Sequence, residues 1–263
     1  MDLAEITPLV LTFNEAPNIA RTLGLLDWAK EIVLLDSFST DDTREIARRV
    51  HPGVRIVERV FDSFASQCNF GLAQVATPWV LSIDADYVLT REFVEEIKTL
   101  QGAADVGGYS VEFRYCVFGR ALRSSLYPPR TVLYRRHLAK YRDEGHGHRV
   151  HITGRIGQLR AQILHDDRKP LARWLSEQNK YAAREAEHLL NSPVTQLNRA
   201  DRIRRNGLIA PPAVFLYTLI GKGLLFDGPI GWFYCFQRTV AELLLSLHLI
   251  QRKLIAPPPK GSP

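Results

Sequence analysis

Two carboxylates, Asp84 and Asp86, stand two residues apart at the end of an apolar run, Trp79-Val80-Leu81-Ser82-Ile83. That run has the length and character of a buried strand. At the C-terminal edge of a parallel sheet, side chains leave the core for the region where open α/β sheets bind ligands. Two acids this close repel each other unless a cation sits between or beside them. Hard divalent cations take carboxylate and phosphate oxygens alike, so the pair suits an ion that carries a diphosphate. It also suits a strand-end turn in which one carboxylate caps the next helix. A second concentration spans Asp143 to His151, where two acids and three histidines fall within nine residues. Such groups can take a proton from an attacking hydroxyl. A third, His165-Asp166-Asp167-Arg168-Lys169, ends in two cations suited to phosphate charge. Its acids, just ahead of Pro170, are equally good helix-start chemistry.

These groups need a scaffold, and the chain of 263 residues is long enough for one large domain or a domain with an appendage. Its three cysteines, Cys68, Cys116 and Cys235, are odd in number and form no C-x-x-C pair. That excludes a disulfide framework and a cysteine zinc site, and it fits a reducing cytosol. The first residues, Met1-Asp2-Leu3-Ala4-Glu5, are acidic and lack the basic region of a secretory signal. The net charge of +6 is unevenly placed: residues 1–106 hold 9 Lys/Arg and 17 Asp/Glu, and residues 107–263 hold 25 and 11. A basic second half suggests phosphates or an anionic membrane face. Nucleic acid is not expected, since no zinc-finger spacing, RNA-binding signature or helix-turn-helix is evident.

Strand and helix alternate through the first hundred residues. A strand is expected over 6–12, then a helix capped by Asn14 with Pro17 in its first turn. Ile19, Leu23 and Leu26 supply its apolar face. A strand over 31–36 ends in Asp36, a polar turn follows, and Thr40 or Asp41 caps a helix to about residue 50. A short strand over 54–57 and a helix over 63–75 lead to the strand that ends at Asp84. Alternation with short connections predicts a parallel sheet with right-handed crossovers. Residues 107–118 and 131–136 read as further strands, the first with Tyr109, Val111, Phe113 and Tyr115 at period two. Residues 127–130 between them read as loop.

Four blocks carry a resemblance: Leu11-Thr12-Phe13-Asn14-Glu15, Leu35-Asp36-Ser37-Phe38-Ser39-Thr40-Asp41-Asp42-Thr43, Gln67-Cys68-Asn69-Phe70-Gly71-Leu72 and Ser82-Ile83-Asp84-Ala85-Asp86. Their order and spacing resemble family 2 glycosyltransferases of the GT-A fold, nearest the small bacterial branch that includes lipopolysaccharide-core glucosyltransferases. The segments 143–150 and 165–169 resemble blocks of that branch as well. The resemblance implies an α/β fold, a mostly parallel Rossmann-like sheet flanked by helices. It also implies site roles. Thr12, Asn14, Glu15, Asp36, Ser37, Gln67 and Asn69 would bind the nucleotide-sugar, with Asp36 accepting from the pyrimidine. Asp84 would lie near the ribose and the metal, Asp86 would hold Mg²⁺ or Mn²⁺, and His165 would complete the metal shell or touch the diphosphate. Arg168 and Lys169 would meet phosphate charge. An inverting transfer needs a base, for which Glu144 or Asp143 is favoured, with His146 as the alternative. Many relatives place a His-Glu pair near here, and by register that glutamate falls on His148 in this chain, a departure that bears on the base.

The last third differs in character. Residues 198–205 are basic, and two apolar runs, 208–226 and 230–250, are each broken by glycine, proline or charge. Neither run is a clean span of about 20 apolar residues. A helical hairpin lying in the headgroup zone is expected, a soluble helical lid or dimer interface being the other reading. The expected organisation is therefore a GT-A domain over 1–195, with a nucleotide half over 1–106 and an acceptor half over 107–195. A helical, membrane-associating extension over 196–255 and a disordered tail over 256–263 follow. The expected activity is inverting, metal-dependent transfer of a sugar from a UDP-sugar to a hydroxyl of a saccharide or lipid-linked acceptor in envelope glycan synthesis. The setting would be the cytoplasm, peripheral at the inner face of the plasma membrane. A polyprenyl-phosphate glycosyltransferase and a non-catalytic sugar- or membrane-binding module are the alternatives.

Overall fold

Strand β1 (Ile6–Thr12) is buried along almost its whole length. It is hydrogen-bonded on both edges, in parallel, to β2 (Ile32–Asp36) and β4 (Trp79–Asp84). Strands covered on both faces read as continuous apolar runs, which is why Ile32-Val33-Leu34-Leu35 shows no alternation. The computed structural model describes residues 1–144 and 147–255. The chain divides into two compact units, Met1–Ala121 with Leu126–Lys169, and Leu122–Ser125 with Pro170–Pro263.

In the first unit β3 (Val54–Glu58) continues the parallel arrangement outside β2. Beyond β4 the sheet changes sense. β5 (Tyr87–Val88) follows β4 in sequence but closes the far end of the sheet, antiparallel to β11 (Arg155–His165). β6 (Val106–Val117) runs parallel to β11, and β8 (Arg130–Arg135) runs antiparallel to both β6 and β4. β7 (Arg120–Ala121) pairs with the end of β6. The order is β3-β2-β1-β4-β8-β6-β11-β5. A separate hairpin is formed by β9 (Ala139–Glu144) and β10 (Gly147–Ile152). This is the mostly parallel, helix-flanked α/β sheet expected from the alternation of strand and helix.

The two faces of the sheet follow the period-two rule for strand side chains. On one face Val10, Leu34, Leu81 and Ile83 pack with α1 (Ile19–Leu23) and with Phe93 and Ile97 of α4 (Arg91–Thr99). On the other, Leu9, Val33, Leu35 and Val80 pack with Ala65, Cys68 and Leu72 of α3 (Phe64–Gln74). Between β2 and β3 runs α2 (Thr43–Val50). In this unit α3 and α4 carry the side-chain caps their sequences call for: Ser63 accepts from Ser66 N at 3.2 Å, and Thr90 accepts from Phe93 N at 3.2 Å.

One helix start differs from expectation. Asn14 does not cap α1, which begins at Ile19. Asn14 adopts a left-handed backbone, φ 55°, a conformation Asn tolerates because its side chain bonds locally. Its Oδ1 accepts from Thr40 N at 2.7 Å, so it ties together the loops after β1 and β2.

The second unit is helical: α5 (Leu171–Asn191), α6 (Arg199–Asn206), α7 (Ala210–Leu216) continued by a wide turn at Tyr217–Gly221, and α8 (Pro229–Ile255). Asp166 and Asp167 do not cap α5; the residue before it is Pro170, without a side-chain bond. Ala182, Ala186 and Leu189 of α5 pack on Leu245 and Leu249 of α8. The two apolar runs become α7 and α8, joined through Gly228 at φ 62°. No helix among the described residues is long and apolar enough to cross a membrane. A Cβ on Gly231 would lie 2.0 Å from the Leu224 carbonyl oxygen. Gly231→Ala must push the turn off the helix, and overpacking of this kind costs about 1–3 kcal/mol or more. Urea unfolding is expected to show that loss, and an unchanged midpoint would contradict the packing.

Candidate active site

Parallel strands place their C-terminal ends on one edge, and three neighbours end there together. Thr12 of β1 is in register with Asp36 of β2, and Leu11 with Asp84 of β4. Asp36 is fully buried. Its Oδ2 accepts from Ser39 N at 2.7 Å and its Oδ1 from Ser39 Oγ at 2.5 Å. Asn14 N donates to the same Ser39 Oγ at 2.8 Å. Ser37 N donates to Thr12 O at 3.0 Å, and Ser37 Oγ accepts from Gln67 Nε2 at 3.0 Å. Gln67, also buried, accepts in turn from Arg59. Thr12, Asn14, Asp36, Ser37 and Gln67 therefore form one connected group.

Asn69 is placed differently. Its Oδ1 accepts from Tyr141 N at 2.9 Å and its Nδ2 donates to Tyr141 O at 3.0 Å. The amide thus grips the backbone of β9, two residues before Asp143. The Tyr141 hydroxyl, buried, reaches Ser82 Oγ at 3.1 Å and the Tyr134 hydroxyl at 2.9 Å. The hairpin's register sets Asp143 opposite His148 and Glu144 opposite Gly147. His146 lies outside the described residues, as do the side chains of Asp143, Glu144 and His148.

The backbone that carries the two acids is pinned on both sides. Thr22 Oγ1 donates to Ala85 O at 2.6 Å, and Asp166 N donates to Asp86 O at 3.0 Å. Asp86 Oδ2 lies 3.3 Å from His165 Nε2 and 3.8 Å from Lys169 Nζ. Burial opposes the charge on Asp86, but His165 and Lys169 outweigh it and hold the carboxyl low, at about 2. Lys169 also meets Glu15 at 2.7 Å and Asp167 at 3.6 Å. Burial alone would strip its proton; Asp86, Glu15 and Asp167 keep the ammonium charged above its ordinary value. Glu15 shows the opposite balance, since burial pushes its carboxyl up to about 7 against the pull of Lys169. Arg168 is turned to Asp166 at 2.9 Å. Both cations expected to meet phosphate are thus held by carboxylates.

The spacing of residues gave no sign of the cluster around His165. Tyr87, Tyr115 and Tyr127 present their rings edge-on to it, at centroid distances of 5.3, 4.9 and 4.7 Å. The guanidinium of Arg130 stacks on Tyr127 at 5.0 Å. Burial works against the Arg130 charge, but the Tyr87 and Tyr127 hydroxyls and the Asp84 carboxylate hold it above its ordinary value. The edge therefore carries a cation beyond those read from the sequence.

Three buried polar atoms here have no hydrogen-bond partner among the described residues: Thr12 Oγ1, Asp86 Oδ1 and His165 Nδ1. Each such atom costs about 1–3 kcal/mol if left unpaired, and two of them belong to the neighbouring side chains of Asp86 and His165. Among the described residues no set of three or more His, Cys, Asp or Glu side chains is arranged to hold an ion unaided. Asp86 Oδ1, buried and without a hydrogen-bond partner among the described residues, is a hard oxygen of the kind a divalent cation takes.

The chain is similar in sequence to known proteins. The family model described as Glycosyl transferase family 2 matches residues 9–162. The chain is 27% identical over 262 residues to the lipopolysaccharide core biosynthesis glycosyltransferase LpsC of Rhizobium meliloti, covering 94% of this chain and 92% of that protein. It is 33% identical over 95 residues to an uncharacterized glycosyltransferase of Rickettsia conorii, covering 36% of this chain and 33% of that protein. Among solved structures, S. aureus TarS 1-349 in complex with UDP-GlcNAc aligns at a TM-score of 0.48 and 14% identity, covering 95% of this chain and 91% of that one.

Proposed function

The chain belongs to glycosyl transferase family 2, and on that premise we propose that it transfers a sugar, with inversion, from a UDP-sugar to a hydroxyl of a saccharide or lipid-linked acceptor of the cell envelope. The observation that carries this reading is the meeting of Glu15, Asp86, His165 and Lys169 just beyond the strand ends, where Asp86 Oδ1 and His165 Nδ1 are buried without a hydrogen-bond partner among the described residues. Thr12, Asn14, Glu15, Asp36, Ser37, Gln67 and Asn69 form the donor side of the proposal. Asp36, held rigidly by Ser39, keeps acceptor capacity for a pyrimidine N–H, because each carboxylate oxygen can accept more than one bond. Asp84, Asp86 and His165 would hold Mg²⁺ or Mn²⁺. Such an ion, when bound, neutralises charge on a departing diphosphate.

The chain's own groups do the rest. Arg130, Lys169 and Arg168 concentrate positive charge at the edge where the leaving group gains negative charge. Lys169 must exchange a carboxylate for a phosphate oxygen to take part. Asp143, Glu144 or His146 removes the proton from the acceptor hydroxyl. The acceptor oxygen then forms its bond to the anomeric carbon as the bond from that carbon to the diphosphate oxygen breaks. The relative named for lipopolysaccharide core biosynthesis supports an envelope glycan as acceptor, and hence a site of action at the inner face of the plasma membrane.

Calorimetry of UDP binding tests the donor and metal parts together. We expect Mn²⁺ to tighten UDP binding by about tenfold or more, the linkage of a shared ion, and Asp86→Asn to remove that gain. UDP binding that ignores Mn²⁺ would refute the ion's role. Hydrolysis assays across UDP-, GDP- and dTDP-sugars then identify the donor.

A further inference from the structure

The second unit carries the chain's whole positive excess. Its residues, 122–125 and 170–263, hold 13 Lys/Arg against 6 Asp/Glu, whereas the first unit holds 21 against 22. Between Gly207 and Ile255 the sequence has two acids, Asp227 and Glu242. Both are neutralised: Asp227 by Arg123 at 3.0 Å and Glu242 by Arg204 at 3.1 Å. The same stretch exposes its largest apolar side chains. Ile220 and Phe226 are 68% and 73% accessible, and Leu216, Tyr217, Trp232 and Phe236 are exposed beside them in sequence. Phe215 joins Trp232 and Phe236 in one aromatic cluster, with centroids 5.9–6.1 Å apart. That cluster borders a shallow apolar depression of about 520 Å³ lined by Gly228, Pro229, Trp232, Phe233 and Phe236. Lys222 sits 5.7 Å over the Tyr217 ring and pairs with no carboxylate among the described residues.

This surface combines exposed aromatics with one cation, Lys222, in a unit of net positive charge; among the described residues its two acids are paired and no helix can span a bilayer. Aromatic rings and aliphatic side chains lodge at headgroup depth, and basic residues are drawn to anionic headgroups. We infer that the α7–α8 end of this unit is a docking surface for an anionic lipid bilayer. Leu216, Tyr217, Ile220, Phe226, Trp232 and Phe236 supply its apolar contact, and Lys222 meets lipid phosphate. A protein partner of opposite shape would need no such excess of positive charge. This surface deepens the envelope reading above, and stands apart from it in test, because vesicle binding needs neither donor nor turnover.

The experiment is flotation of the full chain with phosphatidylcholine vesicles, with and without phosphatidylglycerol. We expect binding to the anionic vesicles, weakened by salt. The combined exposed-site variant Ile220→Ser, Trp232→Ser, Phe236→Ser should weaken it about tenfold or more. Lys222→Glu alone, which gives up only the cation's contact with the Tyr217 ring, should weaken it about tenfold. Circular dichroism shows whether each variant is folded. Absence of flotation with either vesicle overturns the inference, as does flotation that Lys222→Glu leaves unchanged. A concentration-dependent dimer that the serine variant dissolves, without flotation, would assign the face to a second copy of the chain and overturn it too.

Discussion

Asp86→Ala is expected to lower kcat/KM for sugar transfer by about a thousandfold, or about 4 kcal/mol of transition-state stabilisation. Asp86 Oδ1 is buried without a hydrogen-bond partner among the described residues, and its other oxygen already meets His165 and Lys169. Removing it takes away the donor that an ion would use, and it also frees Lys169 to stay on Glu15 and Asp167. The fold should survive, because Ala85 and the backbone around it are held by Thr22 and Asp166, not by the Asp86 side chain. Steady-state kinetics with a thermal melt on the same sample checks both halves. Wild-type turnover in Asp86→Ala, together with indifference to EDTA, would sink the assignment.

Arg204→Ala should destabilise the helical unit by about 3–5 kcal/mol, the cost of leaving buried charge without its partner. Arg204 lies between two glutamates, with Nη1 3.0 Å from Glu185 and Nε 3.1 Å from Glu242. Both glutamates are buried, Glu242 at 4% exposure and Glu185 at 6%. Burial opposes the Arg204 charge, but Glu242 and then Glu185 hold its pKa above the ordinary value. Taking the arginine away leaves two acids facing each other on α5 and α8. The rescue is specific: Arg204→Met with Glu185→Gln and Glu242→Gln removes every charge and should recover most of the loss. Urea midpoints for the single and triple variants decide the matter. A single variant within about 1 kcal/mol of the parent would show that the ions are solvated or replaceable.

The parallel part of the sheet was legible in the sequence for a physical reason. Buried parallel strands are apolar throughout, and the residues that end them, Thr12, Asp36 and Asp84, break the run abruptly. The same logic failed at Asn14. Its type suits a helix cap, but its left-handed backbone and its bond to Thr40 depend on a loop some 26 residues away. The cluster of Tyr87, Tyr115, Tyr127, Arg130 and His165 was also hidden, because it is assembled by the strand order β4-β8-β6-β11-β5, which joins distant segments. Arg130 after two prolines carries no local pattern at all. Lys169 was recognised as a phosphate-suited cation, but its grip on Glu15 and Asp86 is a product of tertiary packing.

The paired hydrogen bonds of Asn69 to Tyr141 give α3 a mechanical part. Gln67 and Asn69, two positions apart on this helix, touch Ser37 after β2 and Tyr141 of the β9–β10 hairpin respectively. The helix thus serves as a ruler, setting by its pitch the spacing between the loop after β2 and the β9–β10 hairpin. One residue inserted between them would swing one contact about 100° around the axis, and the loop and the hairpin would lose their common gauge.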